Sequence, residues 1–344
     1  ILSSKRWIKI WFIIIITIPI VGIFNYFIDP YGLNSSQNKF YLSLTNVSKP
    51  NILKLKINLK ADYYLIGSSR LMRVNPTVIE NYLLDKKVFN IGISAATFDE
   101  NLMLAKQVIS NNSNFIFGFD AFTLNKNRLN NIDLLNRQKK YKEALTSKTI
   151  ISEYFSLDFL ITSIEDLHKR ISGEKLDQFF TSENNKEVRT SIDGVEKFLK
   201  NIGKDGVANF NNFEIVAESD IIQLAKTASE DDIFIIYPKH YYHYVVNQKY
   251  QNIEDKYFRA IKLLVNNTNA KVWSFYQINE ITRNEKNFDE NGWHFKPKIA
   301  NMIFNRIYGD DKTTISPKNF GILLTKDNVQ KNLSRISNKV KSYQ

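Results

Sequence analysis

The chain has 344 residues and is 43% hydrophobic, which is enough to bury a full core and too apolar for a disordered polymer. It contains no cysteine, which excludes disulfides, thiolate metal sites and a cysteine nucleophile. The net charge of +12 is compatible with a polyanionic partner, but the lysines are scattered among asparagines (Asn125-Lys126-Asn127-Arg128, Asn184-Asn185-Lys186), so no nucleic-acid partner is expected.

Residues 10–24 are apolar apart from Thr17, Pro19 and Gly22, and the run continues through Tyr26 and Phe27 to Ile28. At 1.5 Å per residue, about 19 such residues approach the hydrocarbon thickness of a bilayer. Residues 7–28 are therefore expected to form a transmembrane anchor, with Trp7 and Trp11 near one interface and Tyr26 and Tyr31 near the other. Lys5, Arg6 and Lys9 precede the run, and no lysine follows until Lys39. The positive-inside rule then puts the amino end in the cytoplasm and the remainder outside the cell inner membrane. No small-x-small cleavage pattern follows the run, so the anchor is expected to stay attached.

After a polar connector over 29–60, the pattern changes to alternating short apolar runs and helical periods, which assigns 61–344 to one α/β domain. Strands are expected at 63–66, 88–91, 115–119, 233–237 and 272–275, apolar on both faces as buried parallel strands are. Asn75-Pro76 opens one helix, and further helices are expected at 98–110, 213–229, 253–265 and 298–307, the last of the chain. Residues 125–210 break the alternation. They read as a helical insertion with helices at 136–145, 157–171 and 195–202, a candidate lid or partner-docking face.

In open parallel sheets, ligands bind at the carboxyl ends of the strands. Gly67-Ser68-Ser69-Arg70, Gly92, 118–120 and 238–243 all fall there. The first run stops at a tight turn that exposes a hydroxyl, and a serine needs a base to act as a nucleophile. His294, in Gly292-Trp293-His294-Phe295, is the candidate base. His240 and His243 lack a nearby acid or thiol in sequence, so no metal is expected, and with Tyr241 they read as a substrate-contacting loop. Arg70 and Arg73 are candidates to hold an anionic substrate group, with a surface ion pair as the alternative. His168 reads as a solvated helix residue.

At Gly67-Ser68-Ser69-Arg70, Asn90-Ile91-Gly92, Gly118-Phe119-Asp120 and His294-Phe295, in this order, the chain resembles the SGNH (GDSL-type) hydrolase superfamily. Asn25-Tyr26-Phe27-Ile28-Asp29-Pro30 and the segment 320–325 are similar to its membrane-anchored bacterial branch. That branch includes the teichoic-acid D-alanyl transfer protein and exported polysaccharide O-acyl transfer proteins. The resemblance implies a three-layer α/β/α sandwich around a five-stranded parallel, flavodoxin-like sheet. It implies Ser69 as nucleophile and His294 as base, with backbone N–H groups of Ser69 and Gly92 facing the oxyanion. Asp120 stands where the superfamily has an oxyanion-donating Asn, and Asn291 where it has the orienting Asp. Asp289 is then the expected orienting acid, with Glu290 and Asn291 as alternatives.

The implied activity is a serine esterase or acyltransferase, without cofactor, on a cell-envelope glycan or lipid-linked polymer, beside an integral-membrane acyl donor protein. The alternative, motivated by the two departures, is an inactive relative that binds envelope polymer or scaffolds an acyl-transfer complex.

Overall fold

A computed structural model describes residues 4–30, 61–72, 74–130, 132–146, 151–173, 213–251, 253–288, 292, 294–309, 317 and 319–342. In chain order the elements are α1 (Ser4–Ile28), β1 (Tyr63–Ile66), α2 (Ser69–Met72), α3 (Thr77–Glu80), β2 (Val88–Asn90), α4 (Phe98–Ser110), β3 (Asn114–Gly118) and α5 (Ile132–Thr146). They continue with α6 (Ile151–Tyr154), α7 (Leu157–Ile171), α8 (Glu218–Thr227), β4 (Ile233–Ile236), α9 (Tyr241–Gln251) and α10 (Ile253–Asn267). The chain ends with β5 (Lys271–Ser274), α11 (Glu280–Arg283), α12 (Pro297–Tyr308), β6 (Ile322–Leu324) and α13 (Val329–Lys341). These elements fall into two compact units, one formed by 1–59 with 140–181 and the other by 60–139 with 182–344. Of the expected segments, the connector beyond residue 30 and the helix at 195–202 lie outside the described residues.

In the first unit, α1 spans 25 residues, about 37 Å at 1.5 Å per residue. Among the described residues it is the one helix long and apolar enough to cross a membrane. Its apolar side chains are exposed along nearly its whole length, and only Gly22 and Asn25 are buried. The buried notch receives the segment between α6 and α7, where Phe155 packs so closely on Gly22 that a Cβ there would lie 2.2 Å from its ring. Asn25 Nδ2 donates to the Tyr154 carbonyl at 2.6 Å. Part of the expected insertion thus groups with the amino-terminal helix rather than with the sheet.

In the second unit, six strands form one sheet in the order 2-1-3-4-5-6. β1 to β5 are parallel, and β6 runs antiparallel to β5 through Val272–Leu324, Trp273–Leu323 and Ser274–Ile322. The expected five-stranded sheet is therefore corrected to a six-stranded mixed one. β6 pairs with the outer edge of β5, which would otherwise present unpaired backbone groups. Three residues are too few for the alternation that marks a strand in sequence. Two further corrections follow. α13 comes after α12, and the residues after His240 form helix α9 rather than an extended loop.

Strand residues pack alternately to the two faces. Leu65, Ile116, Ile233 and Ile235 share one core with Phe275 and with Ile299, Ile303 and Phe304 of α12. On the opposite face Phe115, Phe117 and Phe234 meet edge-on or tilted, and Phe98 of α4 packs on Phe117. α4 starts at a capping box in which Thr97 accepts from Glu100 N and Glu100 accepts from Thr97 N. The strand order reverses between β1 and β3, and ligand crevices of open sheets form at such a reversal.

Tyr237, immediately after β4, is buried; its ring covers Gly118 at the end of β3 and its hydroxyl reaches Gly67 just after β1. A Cβ on Gly118 would lie 1.7 Å from the Tyr237 hydroxyl, so Gly118→Ala is expected to destabilise the chain by about 3 kcal/mol. Tyr237→Phe is expected to cost less than about 1 kcal/mol, since the hydroxyl has no hydrogen-bond partner among the described residues. Combining the two should recover part of the loss, read from denaturation midpoints of the detergent-solubilised chain.

Candidate active site

β1 carries the chain up through the core to Gly67, and the turn at Ser68 leads into α2, whose first residue is Ser69. Ser68 is buried, whereas Ser69 is half-buried. The Ser69 Oγ lies 2.8 Å from His294 Nε2, across 225 residues of sequence. When that nitrogen carries no proton, the hydroxyl donates to it.

His294 is presented by a loop with a fixed base. Lys296 N donates to the Asn287 carbonyl at 2.9 Å, Phe288 and Phe295 form an antiparallel bridge, and both rings are buried. Phe295 packs on Tyr237, with ring centroids 5.9 Å apart. On the other side His240 N donates to the Gly292 carbonyl at 3.1 Å. Gly292 has φ +64°, and a Cβ there would lie 2.9 Å from His240 Cβ, so both backbone and space require glycine. The three expected orienting groups, Asp289, Glu290 and Asn291, lie outside the described residues, as does Arg73.

Asp120 and Arg70 take different parts from those expected. Asp120 is buried at the carboxyl end of β3, with Oδ1 accepting from Phe122 N at 2.8 Å and Thr123 N at 3.2 Å. Its Oδ2 accepts from Ser68 Oγ at 3.1 Å and Arg70 Nη1 at 2.9 Å. Burial raises its carboxyl, but Arg70, Lys239, Thr123 N–H and Ser68 together outweigh burial and hold it below the ordinary value. An ionised carboxylate has no proton to give an oxyanion. The acid instead grips the residues on both sides of Ser69. Arg70 is 4% exposed, so it forms a buried pair rather than a surface one or a substrate clamp.

Lys239, absent from the sequence-based site, completes this cluster. It is buried just beyond β4, and burial, then the Arg70 charge, push its ammonium down to about 7 against the pull of Asp120. The only sequence signal is a cation three residues after a fully apolar strand.

The second predicted oxyanion donor is also engaged. Gly92 N–H donates to Asn90 Oδ1 at 2.9 Å. The Asn90 amide in turn donates to the carbonyls of Leu71 at 2.8 Å and Val74 at 2.9 Å, closing the carboxyl end of α2. Ser69, the other predicted backbone donor, is the first residue of α2, where a backbone N–H has no partner within the helix. The loop after Gly92 is clamped by Arg128, which donates to the Ala95 and Ala96 carbonyls at 2.7 Å, and by Arg137, which donates to Ser94 and Ala95 at 3.1 Å. Arg128 is thus an internal clamp rather than one of the scattered surface charges.

His240 is buried among Phe288, Tyr241 and Tyr242, with ring centroids 5.0–5.8 Å away, and burial pulls its imidazole down to about 4. It is a neutral packing residue at pH 7, not an open substrate contact. Tyr241 is half-buried and stacks on Tyr242 at 4.4 Å. Among the described residues no three His, Cys, Asp or Glu side chains converge on a metal position. His168 lies exposed on α7, as expected.

Comparison with protein-family models gives no match, and comparison with curated proteins gives none either.

Two measurements test the buried charges. Asp120→Asn removes the buried carboxylate paired with Arg70 and is expected to cost about 3 kcal/mol, whereas Asp120→Asn with Arg70→Met should cost less than the two single changes added together.

The second concerns pH. Burial lifts Glu254, at the start of α10, from 4.5 to about 7. Between these values the folded chain holds a proton that the unfolded chain has lost, so this group lowers stability as pH rises. Lys239 falls from 10.5 to about 7, so between those values the unfolded chain holds the extra proton and stability rises with pH. Denaturation at pH 5, 7 and 9 should therefore show Glu254→Gln flattening the acid-side descent and Lys239→Met the alkaline-side rise. Each change is at most about 1.4 kcal/mol per pH unit.

Proposed function

We propose that the chain is a membrane-anchored, extracytoplasmic serine esterase or O-acyltransferase of the SGNH type, acting on a cell-envelope glycan or lipid-linked polymer. The observation that carries this reading is the 2.8 Å approach of Ser69 Oγ to His294 Nε2 at the end of β1. Support also comes from the strand-order reversal beside Ser69 and from the apolar α1 at the amino end.

In the proposed reaction Ser69 Oγ attacks an ester or thioester carbonyl while His294 Nε2 takes its proton. The proton passes to the departing alcohol or thiol, leaving an acyl-serine. His294 then deprotonates water or a polymer hydroxyl, which attacks the acyl-serine and restores the enzyme. Asp289 is the proposed orienting acid, with Glu290 or Asn291 in its stead, and the proposed acyl donor is an integral-membrane protein.

One observation favours a second reading, an inactive scaffold of the same fold. Gly92 N–H and Asp120 are both committed to internal bonds, and the loss of one oxyanion donor typically costs about 3 kcal/mol of transition-state stabilisation.

A fluorophosphonate probe separates the two readings. The full-length protein should label at Ser69, with Ser69→Ala abolishing labelling and both Ser69→Ala and His294→Ala lowering acetyl-ester turnover at least about a thousandfold. Ser68→Ala, whose hydroxyl faces Asp120 instead, should still label. Equal labelling of wild type and Ser69→Ala rejects the enzyme in favour of the scaffold.

A further inference from the structure

α7 carries three stripes at helical spacing. Phe159, Ser163 and Asp166 are buried. Arg170, next on that stripe, pairs with Asp166 at 2.5 Å and donates to the Ile28 carbonyl at 3.0 Å, so α7 supplies a cation to the carboxyl end of α1. A second stripe, Asp158, Thr162, Glu165 and Lys169, is polar. The third holds Leu157, Ile161, Ile164 and Ile171, which are 74%, 55%, 54% and 77% exposed. Its one polar member is His168, and Ile151 and Phe155 just before α7 are exposed as well. An apolar stripe of this length on a helix with a separate water-facing stripe is what an interfacial helix presents.

We propose that this stripe of α7 is a lipid-binding surface, seated in the hydrocarbon–headgroup boundary of the membrane that α1 crosses. The occupant follows from continuity with α1. Three contacts fix α7 and the residues before it to the last two turns of α1: Phe155 on Gly22, Asn25 on the Tyr154 carbonyl, and Arg170 on the Ile28 carbonyl. The stripe is thereby held at the level of Tyr26, the expected interfacial aromatic, beside a helix whose own isoleucines are bare. The surface belongs with the anchor, and the inference rests on reading α1 as a membrane span. It is independent of the acyl chemistry.

The absence of native cysteine makes the test direct, because each introduced thiol is unique. The full-length chain, in vesicles of phosphatidylethanolamine and phosphatidylglycerol, is spin-labelled singly at Ile161→Cys, Ile164→Cys, Glu165→Cys or Ile15→Cys. Collision with oxygen, which concentrates in lipid, is compared with collision with an aqueous nickel chelate. The expected result is that 161 and 164 behave like 15, open to oxygen and shielded from nickel, while 165 is open to nickel. The proposal is overturned if 161 and 164 are as open to nickel as 165, or are shielded from both reagents because a second copy covers them. Nickel access at 15 would overturn the span as well, a result distinct from failure of the stripe alone.

Discussion

The ring of Tyr237 is the wedge on which the candidate site depends. It leaves the end of β4, lies over Gly118 and Gly67 and meets Phe295, so a single buried side chain touches the ends of β1 and β3 and the histidine loop. Ser69 and His294, 2.8 Å apart, each follow or adjoin a residue that packs on this ring, Gly67 on one side and Phe295 on the other. Aromatic rings have few rotamers, and a packed interior transmits small displacements. A shift at β4 would therefore reach both groups at once.

Beside that wedge lies a buried charged cluster. Asp120 grips Ser68 and Arg70, the two neighbours of Ser69, and Lys239 adds a second buried cation to one carboxylate. Such a cluster costs desolvation, and its return is geometric: the turn that exposes Ser69 has its flanking side chains fixed in direction. Asn90 does comparable work without charge, joining the end of β2 to the last carbonyls of α2. Asp120, at a position read from the sequence as facing an oxyanion, is bonded here to the side chains on either side of Ser69.

The first unit, which holds the one described helix long and apolar enough to cross a membrane, is built differently. In α1 nearly every apolar side chain is bare, and its two buried residues are the small Gly22 and the polar Asn25. Close approach at glycine and a side-chain hydrogen bond are the means by which helices associate when apolar surface gives no preference. α7 uses both routes through the segment before it, and adds Arg170 at the helix end.

Much of this was legible in the sequence because local pattern dictates it. Strands apolar on both faces, the uncharged amino-terminal run and the Asn75-Pro76 signal are properties of a few consecutive residues, and the first five strands lie within a residue or two of expectation, whereas β6, α9 and α13 were not expected. Ser69 and His294 could be named as partners from a turn, a lone ring and a resemblance, but nothing local states their separation. Tertiary structure alone decided which side chains were already engaged. Asp120, Gly92 and Arg70 have the composition of substrate-facing groups, yet each closes a bond to a neighbour brought in by another element. Arg128 and Lys239 look like surface cations in a lysine-rich chain until the fold makes the first a half-buried clamp and buries the second. Side-chain type and period are written in the order of residues. Whether a polar group faces substrate or a partner depends on contacts between residues far apart in the chain, and those exist only once the sheet has formed.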